Sequence, residues 1–159
     1  MTTLRTVFER DYLPAFAARF TPSELVLNLG AGRHAYREAF ACRVVTADPQ
    51  PGCDAQFAAE AIPYPDASVD GVLLMGVFER LDDPMQAMRE IYRVLRVGGV
   101  CLISLLDLAV PWRKAADRWR VSAGGVAHVV REFVLLATHA VDGQAHLCLL
   151  QKPAIWGPS

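Results

Sequence analysis

Short apolar runs recur along the chain, and within each run nearly every position is apolar. The clearest runs are 25–29, 43–47, 69–75 and 100–106. Strands that are buried on both faces of a parallel sheet have this continuous pattern, whereas strands with one face in solvent alternate. The sequence therefore predicts an α/β fold built around a mostly parallel sheet.

Segments with helical periodicity separate these runs. The clearest is 83–96, where apolar residues recur every three or four positions. Asp83 fits the N-cap and Pro84 the first helical position, and Gly98-Gly99 is expected to end the helix. We expect this helix to connect the third run to the fourth, as helices do between parallel strands.

The two ends of the chain differ from its middle. Residues 1–22 place apolar side chains on one helical face, and Pro14 is expected to kink or split this helix. Near the other end, two β-prone runs, 133–141 and 146–150, are joined around Asp142-Gly143, which is a strong hairpin signal. We therefore predict that the sheet closes with an antiparallel hairpin, unlike a plain dinucleotide-binding domain.

Composition narrows the class of protein. The 159 residues fit one domain, 1–159, with 107–132 as a short lid or insert and 133–151 as the hairpin. The chain is 53% apolar and 21% charged with a net charge of −1, which excludes a disordered chain and argues against a nucleic-acid binder. No apolar run approaches the ~20 residues that span a bilayer, and the charged amino terminus is unlike a secretion signal, so a cytoplasmic protein is expected. Cysteines and histidines are too scattered for a metal site, and none is predicted.

A glycine turn follows the first apolar run. The sequence Asn28-Leu29-Gly30-Ala31-Gly32 stands where a strand should turn into a helix, and glycines there let a ligand approach the backbone closely. Asp48 ends the second run, eighteen positions after Gly30, where a carboxylate can accept both hydroxyls of a ribose. Both features also have plain structural interpretations, as turn geometry and as a solvated residue before Pro49. Together they favour a nucleoside-binding site.

From this turn to Lys152 the chain resembles the class I S-adenosylmethionine-dependent methyltransferases. The similarity is carried by VLNLGAG, by VVTADP and, most specifically, by residues 62–99, with PYPD at 63–66. Residues 32–40 and 119–122 resemble a short branch found among surface-polysaccharide biosynthesis methyltransferases. The resemblance implies a Rossmann-like, doubly wound sheet of seven strands, mostly parallel, which ends in an antiparallel hairpin and has helices on both faces.

The resemblance also implies a cofactor, S-adenosylmethionine, with S-adenosylhomocysteine as its product. The glycine turn would face the methionine part, Asp48 the ribose, and Met75-Gly76 the sulfonium. The implied cofactor-binding residues are Asn28, Gly30, Ala31, Gly32, Asp48, Pro49, Ala59, Glu60, Met75 and Gly76. The chain departs from the family where an acid is usual at Asn28, an Asp is frequent at Ala58, and a His is common at Arg80.

Methyl transfer from a sulfonium is an in-line displacement, which mainly requires positioning. A base is needed only where the acceptor must lose a proton early, and Glu79, His34 and Tyr36 are the candidates. The predicted activity is methyl transfer to a small molecule or a glycan precursor. A protein partner or a homodimer is an open alternative, whereas nucleic acid and a membrane span are not expected.

Two other functions stay open at this point. The departures at Asn28 and Ala58 also fit a catalytically silent methyltransferase-like module that binds the cofactor weakly or supports a partner protein. A nicotinamide-dependent oxidoreductase is disfavoured by the terminal hairpin and by the absence of a Tyr-x-x-x-Lys pair.

The segment 107–132 holds Trp112 and Trp119 among several cationic side chains, including Arg113 and Lys114. Such a cluster can bind a phosphorylated or sugar-linked acceptor, or rest on a membrane face. The alternative is a surface helix whose tryptophans pack on the sheet while its arginines stay in water.

Overall fold

The computed structural model describes residues 3–112 and 115–154, and its framework is a six-stranded sheet. The strands are β1 (Leu25–Leu29), β2 (Arg43–Ala47), β3 (Val69–Leu74), β4 (Leu95–Leu106), β5 (Val134–Val141) and β6 (Ala145–Gln151). Their order across the sheet is β2-β1-β3-β4-β6-β5. The first four strands are parallel, and β6 runs antiparallel between β4 and β5. The predicted mostly parallel sheet with a terminal antiparallel hairpin is confirmed.

The described residues form six strands, so the predicted count of seven is wrong by one. Beyond β2 the chain makes a single parallel bridge, between Ala47 and Ala55. Pro49, Pro51 and Gly52 follow β2 closely. Proline lacks the backbone donor that a ladder needs and glycine weakens a strand, which explains why this segment does not extend the sheet.

Helical segments lie on both faces of the sheet, as predicted. They are α1 (Leu4–Val7), a π-helical turn (Phe8–Tyr12), α2 (Leu13–Ala17), α3 (Pro84–Val94), α4 (Ala123–Val129) and two 3₁₀ turns (Arg37–Ala39 and Phe78–Arg80). The core on one face includes buried residues of α3 and α4, and the core on the other face includes those of the N-terminal segment from α1 to α2. Pro14 lies in the first turn of α2, directly after the π-helical turn, so the N-terminal segment changes its helical form just before the proline without separating into two helices.

Helix α3 begins as predicted, with the Asp83 carboxylate accepting a hydrogen bond from a backbone amide of its first turn. It ends at Val94 rather than at Gly98-Gly99, because the chain enters β4 directly. An ion pair joins Arg96, in the first part of β4, to Asp70 of β3. This tertiary contact overrides the helical periodicity, which continues through Arg96 in the sequence.

Gly71, in β3, is required by the packing of the N-terminal segment, because a Cβ there would overlap the buried Phe20 ring. We expect Gly71→Ala to lower the free energy of unfolding by about 1–3 kcal/mol, since the ring would have to shift. Urea denaturation measures this loss. Gly124→Ala is the matched control, because its Cβ meets nothing closer than the Ser122 hydroxyl at 4.0 Å. Equal losses in both variants would show that the Phe20 contact is not the cause.

Candidate functional site

A cavity of about 470 Å³ opens at the carboxyl ends of β1 and β3. It lies between the N-terminal segment, the loop after β1 and the 3₁₀ turn Phe78–Arg80. The predicted site residues that line it are Asn28, Gly30, Ala31, Gly32, His34, Tyr36, Met75, Gly76 and Glu79. Asp48, Pro49, Ala59 and Glu60 lie outside it. The structure thus brings the predicted methionine and sulfonium positions together with all three candidate bases.

Gly30 lets the loop after β1 pass close to β3 and the turn that follows it. Its φ is +64°, and a Cβ there would overlap the Val77 side chain, so only glycine fits. The next amide, of Ala31, donates to the Ala47 carbonyl at 3.1 Å and ties the loop to the end of β2. Among the residues described, the turn Arg37–Ala39 stands where a full helix was expected, so this loop offers bare backbone but no long helix dipole.

The buried side chain of Asn28 holds this loop in place. Its Nδ2 donates to the carbonyl oxygen of His34 at 2.7 Å and to that of Ala35 at 3.3 Å. A carboxylate is unable to form these bonds, because it has acceptors only. The amide at position 28, where the resemblance leads one to expect an acid, is therefore explained by the shape of the loop.

Asp48 ends up just after β2, at the same edge of the sheet as the cavity. Its Oδ1 accepts from the backbone amide of Gln50 at 2.9 Å. Its Oδ2 has no hydrogen bond to any residue within 3–112 or 115–154. The neighbouring Pro49 carbonyl accepts from the Gln56 side chain at 2.9 Å. A ribose contact at Asp48 stays a prediction, and one acceptor oxygen is available for it.

The positions implied for the adenine border have structural roles of their own. Ala59 is buried in the core beneath α3. Glu60 accepts from the backbone amides of Asp82 and Asp83, at 3.0 Å and 3.4 Å, and so anchors the loop that leads into α3. The sequence did not indicate this contact, because it joins residues 22 positions apart through a side chain.

Two of the candidate bases are engaged with the N-terminal segment. Both ring nitrogens of His34 lie near the Arg5 guanidinium, at 3.3 Å and 3.1 Å. The Tyr36 hydroxyl donates to a Glu9 oxygen at 3.3 Å, and burial raises the pKa of this phenol. A phenol with a raised pKa is poorly suited to accept a proton at neutral pH, and both ring nitrogens of His34 are already in contact with Arg5.

Glu79 differs from the other two candidates. It is only 7% exposed, and its buried Oε2 has no hydrogen-bond partner among residues 3–112 and 115–154. Burial raises the pKa of its carboxyl, and the Arg80 charge nearby opposes the rise. A buried, unpartnered carboxyl that lines a cavity is unfavourable for folding and is characteristic of functional sites. Glu79 is therefore the best placed of the three to accept a proton.

The described residues around Trp112 and Trp119 do not form the surface helix that was one of the two alternatives, since the helix of this segment, α4, begins only at Ala123, and the binding role stays a prediction. The Arg120 side chain is 1% exposed and is bound to Asp117 at 2.9 Å, to the carbonyl of Val110 at 3.2 Å, and to that of Trp119 at 2.9 Å. Its guanidinium also lies 4.4 Å from the centre of the Trp112 ring. The buried Arg120 thus holds the described parts of the segment together. The predicted cationic residues Arg113 and Lys114 lie outside the described residues.

This segment is fastened to the turn that carries Glu79. The Glu79 carbonyl accepts from the amides of Arg118 and Trp119, at 2.6 Å and 3.1 Å. The Trp119 indole donates to the Leu81 carbonyl at 2.7 Å, and the Arg118 guanidinium to that of Arg80 at 2.9 Å. The lid therefore fixes the backbone from which the Glu79 side chain enters the cavity.

Sequence reasoning did not place the cationic residues Arg5, Arg33 and Arg80 in one cavity, although all three line it. Arg5 comes from the N-terminal segment, and no local motif signals that this segment folds over the glycine loop. The described residues hold no group of three or more His, Cys, Asp or Glu side chains arranged for a metal ion. None of the described helices is long and apolar enough to cross a membrane.

Replacing Asn28 by Asp tests the role of its amide. We expect Asn28→Asp to lower the free energy of unfolding by about 1–3 kcal/mol, because the carbonyls of His34 and Ala35 lose their donor and a buried carboxylate stands in its place. The loss should shrink toward about pH 3, where a protonated Asp can donate one hydrogen bond. Chemical denaturation at several pH values measures it. A variant as stable as the parent chain would contradict this explanation of Asn28.

The buried Glu79 carboxyl makes stability depend on pH. The unfolded chain releases the proton near the ordinary pKa of 4.5, while the folded protein retains it to higher pH. Stability therefore falls as pH rises from 4.5 toward the raised pKa, and Glu79→Gln removes that loss. We expect the stability of the variant relative to the parent chain to increase as the pH rises above about 4.5 in denaturation experiments. The exposed Glu132→Gln is the control, and equal pH profiles for the two variants would refute the assignment.

Comparison with known proteins adds to this geometry. A family model described as a methyltransferase domain matches residues 27–103. A segment of 64 residues is 48% identical to rice 2-methyl-6-phytyl-1,4-hydroquinone methyltransferase 1, over 38% of this chain and 19% of that protein. The matched segments span only about a fifth of the length of such curated relatives, from 17% to 22%.

Solved structures show the same fold across nearly the whole chain. The 1,6-didemethyltoxoflavin-N1-methyltransferase of Burkholderia thailandensis, solved with S-adenosylhomocysteine, superposes with a TM-score of 0.71 at 20% identity over 94% of this chain and 82% of that one. The cyclase SpnF superposes with a TM-score of 0.73 at 16% identity over 96% and 83%. Residues 27–103, which include the glycine loop and the cavity turn, thus match a methyltransferase domain, and nearly the whole chain has the fold seen in solved S-adenosylmethionine-dependent methyltransferases.

Proposed function

We propose that this chain binds S-adenosylmethionine and transfers its methyl group to a small molecule or a glycan precursor. The observation that carries the proposal is the 470 Å³ cavity lined both by the bare backbone of Gly30 and by Glu79, whose Oε2 has no hydrogen-bond partner among the described residues. One wall suits the methionine part of the cofactor, and the other supplies a proton acceptor. The Met75-Gly76 backbone lies between these walls, at the end of β3.

The adenosine half would lie along the adjoining edge of the sheet, outside the cavity. Asp48 is the residue there with an available carboxylate oxygen, and it follows the strand next to β1. A carboxylate that accepts both ribose hydroxyls would fix the cofactor in the direction that sends its methionine part into the cavity. The roles of Ala59 and Glu60 at the adenine border would be indirect, since one is core and the other anchors a loop.

The cofactor supplies an activated methyl group on a sulfonium. This chain therefore has to orient the cofactor, enclose the reacting groups and remove a proton from the acceptor. Orientation is the task of the rigid loop that Asn28 holds. Enclosure comes from Leu4 and Phe8 of the N-terminal segment, which line the cavity opposite the sheet and exclude water. Glu79 would accept the proton of the acceptor, and its raised pKa brings it nearer to the pH at which it must do so.

The second candidate is a catalytically silent module with this fold. The structural match to SpnF favours it, because that protein is a [4+2]-cyclase although its fold is the same. The Ala58 departure is compatible with it as well. The two candidates differ in whether the cofactor binds tightly and whether its methyl group leaves.

A protein partner or a second copy of the chain stays a prediction. The surface that fits it best is the outer strand β5, where Val134, Leu135 and Leu136 are each about two-fifths exposed. Apolar side chains on an unpaired strand edge are a common basis for association. A cytoplasmic location also stays a prediction.

Cofactor binding tests the proposal most directly. We expect calorimetry to give micromolar affinity for S-adenosylhomocysteine, and Asp48→Ala to weaken it at least thirtyfold, about 2–4 kcal/mol for a paired, charge-assisted contact. Asp11→Ala, which removes an exposed carboxylate of the N-terminal segment, is the matched control.

No binding to the parent chain at millimolar ligand would overturn the proposal and favour the silent module. Unchanged affinity in Asp48→Ala, with the fold intact by circular dichroism, would remove Asp48 from the site while leaving the cavity assignment standing.

A further inference from the structure

The cavity carries more positive charge than its cofactor requires. Arg5, Arg33 and Arg80 line it, and Glu79 is the one carboxylate among the described residues that line it. S-adenosylmethionine itself has two positive charges and one carboxylate. Three arginines around a cationic cofactor are electrostatically unfavourable unless a further anion enters the same cavity.

The three arginines differ in how much of their hydrogen-bonding capacity is used. Arg5 is paired with Glu9 at 2.7 Å and also faces His34. Arg80 donates one bond, from Nη2 to the Gly76 carbonyl at 2.7 Å. Arg33 is exposed and has no hydrogen bond or ion pair with any residue that the structure describes. A guanidinium has five N–H donors in a planar fork that matches carboxylates and phosphates, so Arg33 and Arg80 have donors to spare.

Resting on the proposed function, we infer that the methyl acceptor is a small anion whose carboxylate or phosphate is bound by Arg33 and Arg80 while its O–H or N–H group faces Glu79. Residues 79 and 80 are neighbours in one 3₁₀ turn, so a single rigid element presents the acid and one of the cations. The lid fixes this turn through the Glu79 carbonyl.

The reaction then balances without a further reactant. The acceptor oxygen or nitrogen forms its bond to the methyl carbon as the carbon–sulfur bond breaks, and the electron pair of that bond stays on sulfur. The acceptor proton goes to the Glu79 carboxylate, whose Oε2 has no hydrogen-bond partner among the described residues. The acceptor must be small, because the 470 Å³ cavity also has to hold the methionine part of the cofactor.

The apolar part of the cavity suggests suitable probes. Leu4, Phe8 and Met75 line it beside the arginines, so an aromatic ring with one anionic substituent matches both kinds of surface. Benzoate and phenyl phosphate carry the two candidate anions, and benzamide is the uncharged equivalent of benzoate.

The experiment is calorimetric titration of the three probes into the protein saturated with S-adenosylhomocysteine. We expect benzoate or phenyl phosphate to bind about tenfold or more tightly than benzamide, as charge-assisted hydrogen bonds require. The anion that binds more tightly shows whether the acceptor carries a carboxylate or a phosphate. Arg33→Gln and Arg80→Gln should each reduce this preference severalfold and change the affinity for S-adenosylhomocysteine less than twofold. Arg89→Gln, an exposed arginine of α3, is the control and should change neither.

Equal binding of benzoate, phenyl phosphate and benzamide would overturn the inference. So would arginine variants that lose S-adenosylhomocysteine but keep the anion preference, since the arginines would then belong to the cofactor carboxylate. If S-adenosylhomocysteine does not bind at all, the proposed function fails. The same probes titrated into the free protein then decide the anion site separately, because the preference and its loss in Arg33→Gln do not require the cofactor.

Discussion

The parallel pairing of β1 with its two neighbours is the constraint on which the site depends. Leu27 pairs with Val45 of β2 on one side and with Val72 of β3 on the other. Because all three strands run in the same direction, their carboxyl ends reach the same edge of the sheet. The glycine loop, Asp48 and the turn with Glu79 therefore meet there, although they are separated by tens of residues in the sequence.

The buried polar groups at this edge of the sheet form hydrogen bonds, with one exception at Glu79. Asn28 donates to the loop that follows it, and the Ser104 hydroxyl accepts from the Gly76 amide at 2.8 Å. Glu79 alone among the buried polar side chains described has an oxygen without a partner. An unpartnered buried carboxyl costs folding free energy, and a ligand that donates a hydrogen bond to it would recover part of that cost. The site thus has a physical reason to bind a proton-bearing group.

Two segments distant in sequence complete the cavity. The N-terminal segment covers the glycine loop through Leu4 and Phe8, and the lid holds the Phe78–Arg80 turn from the other side. The lid is organised by Arg120, which is buried and uses its donors on backbone carbonyls of its own segment. A charged residue that looks like surface in the sequence is in fact the centre of this segment, because its hydrogen bonds replace those that it loses to water.

The sequence by itself determined the sheet, its hairpin and the start of α3, since these follow from local apolar periodicity and from caps such as Asp83. It also indicated part of the cavity lining, the glycine turn and Met75-Gly76, because strand ends are local features, whereas the predicted Asp48, Pro49, Ala59 and Glu60 lie outside the cavity. Only the tertiary structure decided that Asn28 holds a loop, that Glu60 anchors another, and that Arg33 and Arg80 share a cavity with Glu79. It also decided that the predicted seventh strand is replaced by a single bridge at Ala55. These facts depend on contacts between side chains and backbone groups far apart in the chain, and no local pattern encodes the partner of such a contact.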